Sequence, residues 1–182
     1  WNDTDAPVVF MKIAEVNVGN HEHEDSGTFQ IYYKGLLSSN AGLYNNSGHE
    51  QTAYYQRATI AHNGILVFNP AKWDFGSTDP ETKWYSGGQR RVSAPKNLSI
   101  LQREKYDTGV LMGAQYGFKD EAGKISDYAY LAGDITKAYD ADTVAFMSRS
   151  MLTVYNDATD ECPMYFFVFD SVESTNASFK KS

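Results

Sequence analysis

Two imidazoles and a carboxylate alternate with glutamates in the run His21-Glu22-His23-Glu24-Asp25. Imidazole is a common ligand for zinc-like ions and exchanges a proton near neutral pH, so a His-x-His pair can supply two ligands, or one ligand and one acid–base group. In extended backbone, side chains two residues apart point the same way, which would put His21, His23 and Asp25 on one face. The alternative is a solvated, charged strand entry with no chemistry, and the spacing alone leaves both open.

All four histidines fall between His21 and His62. His62 stands just before the apolar run Ile65 to Phe68, with Arg57 and Thr59 upstream. By itself it reads as a hydrogen-bonded structural histidine, and His49, in Asn-Asn-Ser-Gly-His-Glu-Gln, reads as a loop residue. No Gly-x-Ser-x-Gly elbow and no Cys/His dyad is present, so nucleophilic catalysis by those routes has no support. The segment Tyr-Ser-Gly-Gly-Gln-Arg-Arg (residues 85–91) lacks the Lys-Ser/Thr ending of a phosphate loop and reads as a turn with a local anion contact.

The elements that must position these residues are strands. A chain of 182 residues with 13 Tyr and 10 Phe suits one domain rich in pleated, half-buried surface. Phe29, Ile31 and Tyr33 alternate with Gln30, Tyr32 and Lys34, and residues 63–69, 127–136, 143–155 and 164–172 read as further strands. The last of these is apolar on both faces, as in a sandwich core. Residues 70–96 form the longest stretch with no convincing strand. The fold class is therefore all-β, an antiparallel β-sandwich with few or no long helices, over a single domain 1–182 with loose ends near Ser174 to Ser182. The formal charge of −7 argues against a nucleic-acid module, which rests on basic surface. No apolar run reaches transmembrane length. Cys162, the only cysteine, cannot form an internal disulfide. The first residue is Trp, which suggests a processed product or a piece of a longer chain.

The His-x-His-x-Asp-x-Gly-x-Phe stretch (residues 21–29), followed by Arg-x-Thr-x-x-His-Asn (residues 57–63), then by Asp-Tyr-Ala-Tyr-Leu-Ala-Gly-Asp and Tyr-Phe-Phe-Val-Phe-Asp-Ser-Val, resembles the C-terminal β-sandwich of heparinase II/III-like polysaccharide lyases. The order and spacing of the segments match from Pro7 to Ser174. In such lyases an N-terminal α-helical toroid packs against the sandwich, and an acidic polysaccharide lies in the cleft between them. The resemblance implies β-elimination at a uronic acid, with His21 as the catalytic histidine facing the cleft. It further implies a divalent, zinc-like metal held by His23, Asn40 and His62. Asn40 departs from the family's aspartate, which implies a weakened metal site, because an amide brings no negative charge. The tyrosine that protonates the leaving oxygen belongs to the helical domain, although Tyr44, Tyr54 and Tyr55 lie near the right segments. A secreted or periplasmic location follows from where such polymers occur. Taken alone, the chain is expected to be folded but nearly inactive. A non-catalytic carbohydrate-binding or scaffolding sandwich is the alternative, with exposed aromatics stacking on sugars. A cupin-like metal enzyme ranks lower, because Glu22 and Glu24 alternate away from the histidines.

Overall fold

The structure, a computed structural model, describes residues 5–44, 50–73, 85–102, 104–117, 128–156 and 161–182, with the side chain of residue 53 excluded. His49, Trp1 and part of the 70–96 stretch lie outside the described residues.

Among the described residues, nine strands form three antiparallel sheets. β1 (Val8–Met11), β2 (Phe29–Tyr32) and β3 (Leu36–Ser38) make the first. Lys34, at φ 54°, and Gly35 close the turn between β2 and β3. β5 (Val110–Tyr116), β6 (Tyr128–Asp134), β7 (Val144–Tyr155) and β8 (Met164–Ser174) make the largest sheet, in that order. β4 (Val67–Phe68) and β9 (Lys180–Lys181) form a short pair. Among the described residues, helix occurs in short turns, such as Leu98–Leu101 and a π-helical turn at Thr52–Gln56. The all-β sandwich read from the sequence is the fold of the chain.

β7 shows why the sheets stack. From Met147 on, Met147, Arg149, Met151 and Thr153 are buried, while Ser148, Ser150, Leu152 and Val154 between them are half-exposed. This is the period-2 pattern of a strand with one covered face. The β1–β3 sheet covers that face: the Phe29 ring lies 4.7 Å from that of Phe166 on β8. Val67, Ile135, Ala138, Tyr139, Val144 and Met147 form the core cluster, with Ile13, Ile65, Val172 and Phe179 packed against it. The buried Tyr139 hydroxyl donates to the Ile65 carbonyl at 2.7 Å. Burial pushes that phenol up to about 12.

Two expectations are corrected. β8 is apolar on both faces, yet only one is packed: Tyr165, Phe167 and Phe169 are 50, 44 and 63% exposed. β8 is the edge strand of its sheet, and no other described element covers its outer side. The loose end expected from Ser174 is instead ordered. β8 runs to Ser174, Phe179 reaches the core, and β9 pairs with β4. Leu66 and Ser182 exchange both backbone hydrogen bonds, at 2.8 and 3.0 Å.

Candidate functional site

Residues 17–28, which carry the His-x-His pair, form no strand. Gly19 and Asn20, at φ 68° and 60°, turn the chain immediately before His21. Without a ladder, the backbone polar groups here need partners elsewhere. Side chains supply them. Asn17 Nδ2 donates to His23 O at 3.0 Å, and Asn17 Oδ1 accepts from Gly19 N at 2.7 Å. Glu22 Oε2 accepts from Val18 N at 2.6 Å. Gln89 grips Ser26 at both ends, accepting from its N–H at 2.9 Å and donating to its carbonyl at 2.7 Å.

The second motif, residues 57–63, is joined to the first nearly residue by residue. Arg57 donates through Nη1 to Asn20 O and through Nε to Thr52 O, and its own carbonyl accepts from Glu24 N at 2.8 Å. Thr59 Oγ1 donates to Glu24 O at 2.7 Å and accepts from Gln89 N at 2.8 Å. Gly88 passes so close to Thr59 that a Cβ there would lie 2.7 Å from its side chain. Asn63 extends the sheet sideways: its amide exchanges hydrogen bonds with Phe29 N and O at 2.9 and 2.7 Å and donates to Ser38 Oγ at 3.1 Å. Beneath both motifs, Arg149 pairs bidentately with Asp170 at 2.6 and 2.9 Å. Its Nη1 donates to Gly27 O at 2.7 Å and Asn63 O at 2.6 Å.

This stapling parts the two histidines that simple alternation would have kept on one face. His21 is exposed and opens onto a cavity of about 380 Å³, lined also by Glu22, Arg57 and Arg91. Its ring lies 6.4 Å from that of Tyr44. His23 turns the other way and meets His62, with Nδ1 and Nε2 3.1 Å apart and the rings stacked at 5.1 Å. One carboxylate oxygen of Asp25 completes a group whose three donor atoms lie within 4.8 Å of one another. Asp25 is buried and paired with Lys12 Nζ at 2.5 Å. Ala41 N donates to Ala61 O at 2.7 Å, which sets Asn40 beside the segment leading to His62.

Burial lowers the pKa of both His23 and His62, and the Asp25 charge opposes this only in part. Two neutral rings with facing nitrogens need something between their lone pairs, either a ring proton or a cation. The donor set suits a zinc-like ion: two nitrogens sharing a tetrahedral ion at ~2.0–2.1 Å would stand roughly 3.3 Å apart, close to the separation seen. The Lys12 ammonium already occupies one side of Asp25. The family resemblance points to position 40 for the third ligand, and nothing in the sequence pattern singles out Lys12, Gln89 or Arg149. Asp25 was visible as the third member of the alternation. The other three act through long-range contacts that leave no local pattern.

The heparinase II/III-like, C-terminal family model matches residues 1–172. The chain belongs to this family. No curated protein matches it. Membership brings a lyase context, in which the domain is part of a larger multidomain protein that acts on polysaccharide. No helix among the described residues is long and apolar enough to cross a membrane.

Proposed function

We propose that this heparinase II/III-like domain forms one wall of the active cleft of a polysaccharide lyase that cleaves uronic-acid polymers by β-elimination, with His21 as its catalytic histidine. One observation supports this above others: His21 faces an open cavity while His23, two residues on, turns inward to His62. The C5 proton leaves to a base, its electron pair forms the C4–C5 double bond, and the C4–O bond breaks to an oxygen that takes up a proton. Because that C5 proton is weakly acidic, a group must offset the adjacent carboxylate charge or accept the proton within hydrogen-bond reach. An exposed imidazole can do either. The family's helical domain would supply the second wall and the tyrosine acid.

His23 and His62, with Asn40 or Asp25, would hold a zinc-like ion. Its positive charge would tie the two motifs together behind His21. Asn40→Asp is expected to raise zinc content measured by elemental analysis, and unchanged low occupancy would remove Asn40 from the ligand set. Secretion or export to the periplasm is proposed with the substrate, since such polymers lie outside the cytoplasm.

The test incubates the full-length lyase and this chain with heparin, heparan sulfate and alginate, following unsaturated-uronate absorbance. Turnover by the full-length enzyme that falls at least a hundredfold in His21→Ala, with little from the chain alone, is the expected result. Full turnover by His21→Ala would overturn the assignment.

A second reading, a non-catalytic sugar-binding module, is favoured by the exposed row Tyr165, Phe167 and Phe169, since aromatic faces stack on sugar rings. A glycan-array signal that survives His21→Ala but not Phe167→Ser would establish it.

A further inference from the structure

Lys12 follows β1 and takes no part in the reading above. Its backbone is clasped by the loop that carries Asp25: Lys12 N donates to Thr28 O at 2.9 Å, and Gly27 N donates to Lys12 O at 2.8 Å. From there the side chain reaches back to Asp25, with Nζ 2.5 Å from Oδ1. Neither charged group has another ion-pair or side-chain hydrogen-bond partner among the described residues. The Asp25 side chain is 11% exposed and that of Lys12 33%, so the lysine has the easier route to water.

The same carboxylate is the third donor of the His23–His62 group, whose ligand atoms all lie within 4.8 Å of one another. A zinc-like ion seated there would share Asp25 with an ammonium already bonded to it. Charge sharpens the conflict. Two neutral imidazoles and one carboxylate supply a single negative charge, and Lys12 cancels it. The Lys12 charge already works against a proton on either ring, and it repels a dication twice as strongly. A displaced ammonium also has room: with Glu22 and His23, Lys12 lines a small cavity of about 50 Å³, and its flexible stem can swing while β1 stays in place.

We infer that Lys12 is a resident cation competing with a divalent metal for Asp25: without metal it neutralises the carboxylate, and an ion that takes Asp25 as its third ligand displaces it. Lys12 thereby sets the metal affinity of the site. This rests on the zinc-binding reading of His23 and His62. It goes further by choosing Asp25 over Asn40 and by giving the site a built-in competitor.

The experiment titrates the 182-residue chain with zinc alone, by calorimetry and by competition with a chromophoric chelator. Lys12→Gln keeps an N–H for Asp25 but no charge, and is expected to tighten zinc at least tenfold. Lys12→Arg should stay near the wild-type value, and Asp25→Asn should weaken zinc at least tenfold. In the wild-type chain, zinc should also move the Lys12 ammonium resonance to that of a solvated lysine, a readout that holds even if Lys12→Gln folds poorly. Zinc affinity that is equal or weaker in folded Lys12→Gln, or an ammonium signal that stays in place on zinc loading, would overturn the inference. Zinc held as tightly by Asp25→Asn as by wild type would overturn it too, while leaving a site of His23, His62 and Asn40 standing. Zinc taken up by neither wild type nor Lys12→Gln would remove the site together with its competitor and leave the assignment of His21 untouched.

Discussion

The four-stranded sheet and the histidine-bearing loops are built by opposite means. In β5–β8 the backbone satisfies itself through a continuous ladder, so side chains are free to alternate between core and solvent. Around residues 17–28 and 57–63 there is almost no ladder. Asn17, Thr59, Asn63 and Gln89 spend their side chains on other segments' backbone. The first arrangement tolerates exchange of one apolar residue for another. The second fixes particular amides and hydroxyls in place and can therefore aim two neighbouring imidazoles in different directions. Arg149 belongs to both, rooted on β7 and reaching to Gly27 and Asn63.

The largest effect should come where the two regions meet. Arg149→Leu leaves Asp170 without its partner and two carbonyls without a donor. A buried carbonyl left without its donor costs about 1–3 kcal/mol, so urea unfolding should show a marked loss of stability. A shift below 1 kcal/mol would mean that the sheets hold the site without this guanidinium.

Next in size is a change confined to the loops. Thr59→Val keeps the shape but removes a hydroxyl that both donates and accepts, costing about 1–3 kcal/mol. Hydrogen exchange should quicken at Glu24 and Gln89 and stay slow in β7. Uniform acceleration would show that the two regions unfold as one.

How much of this was legible in the sequence follows the same division. The β-former-rich runs at residues 143–155 and 164–172, long enough to cross a sheet and the second apolar on both faces, marked β7 and β8. β1 and β5 went unread: Val8 to Met11 is short and Val110 to Tyr116 is exposed at nearly every position, so neither carries a clean signal. The meeting of His23 with His62 followed from the family resemblance, while spacing left it undecided. The same spacing argument placed His21 and His23 on one face, and it failed because the turn at Gly19–Asn20 and the pull of Asn17 on the His23 carbonyl replace extended backbone. Lys12 and Gln89 could not be foreseen, since their partners are set by packing between segments distant in sequence.

A smaller effect is expected within the core. Tyr139→Phe removes one buried hydroxyl that donates to Ile65 O and should cost about 1 kcal/mol, read as a lowered urea midpoint at unchanged slope. The smallest belongs to the outer side of β8. Phe167→Ser, at a half-exposed position, should move stability by less than about 0.5 kcal/mol. A larger loss would mean that the outer aromatic row is packed in solution.

The pairing of β9 with β4 ties remote parts of the chain together. Lys180 and Lys181 lie beside Phe68 and Val67, and Val67 N donates to Gly87 O at 2.8 Å, two residues before the Gln89 that grips Ser26. Unpairing β9 from β4 would therefore be felt at the histidine-bearing loops, far upstream in sequence, through the Gln89 contacts to Ser26 and Thr59.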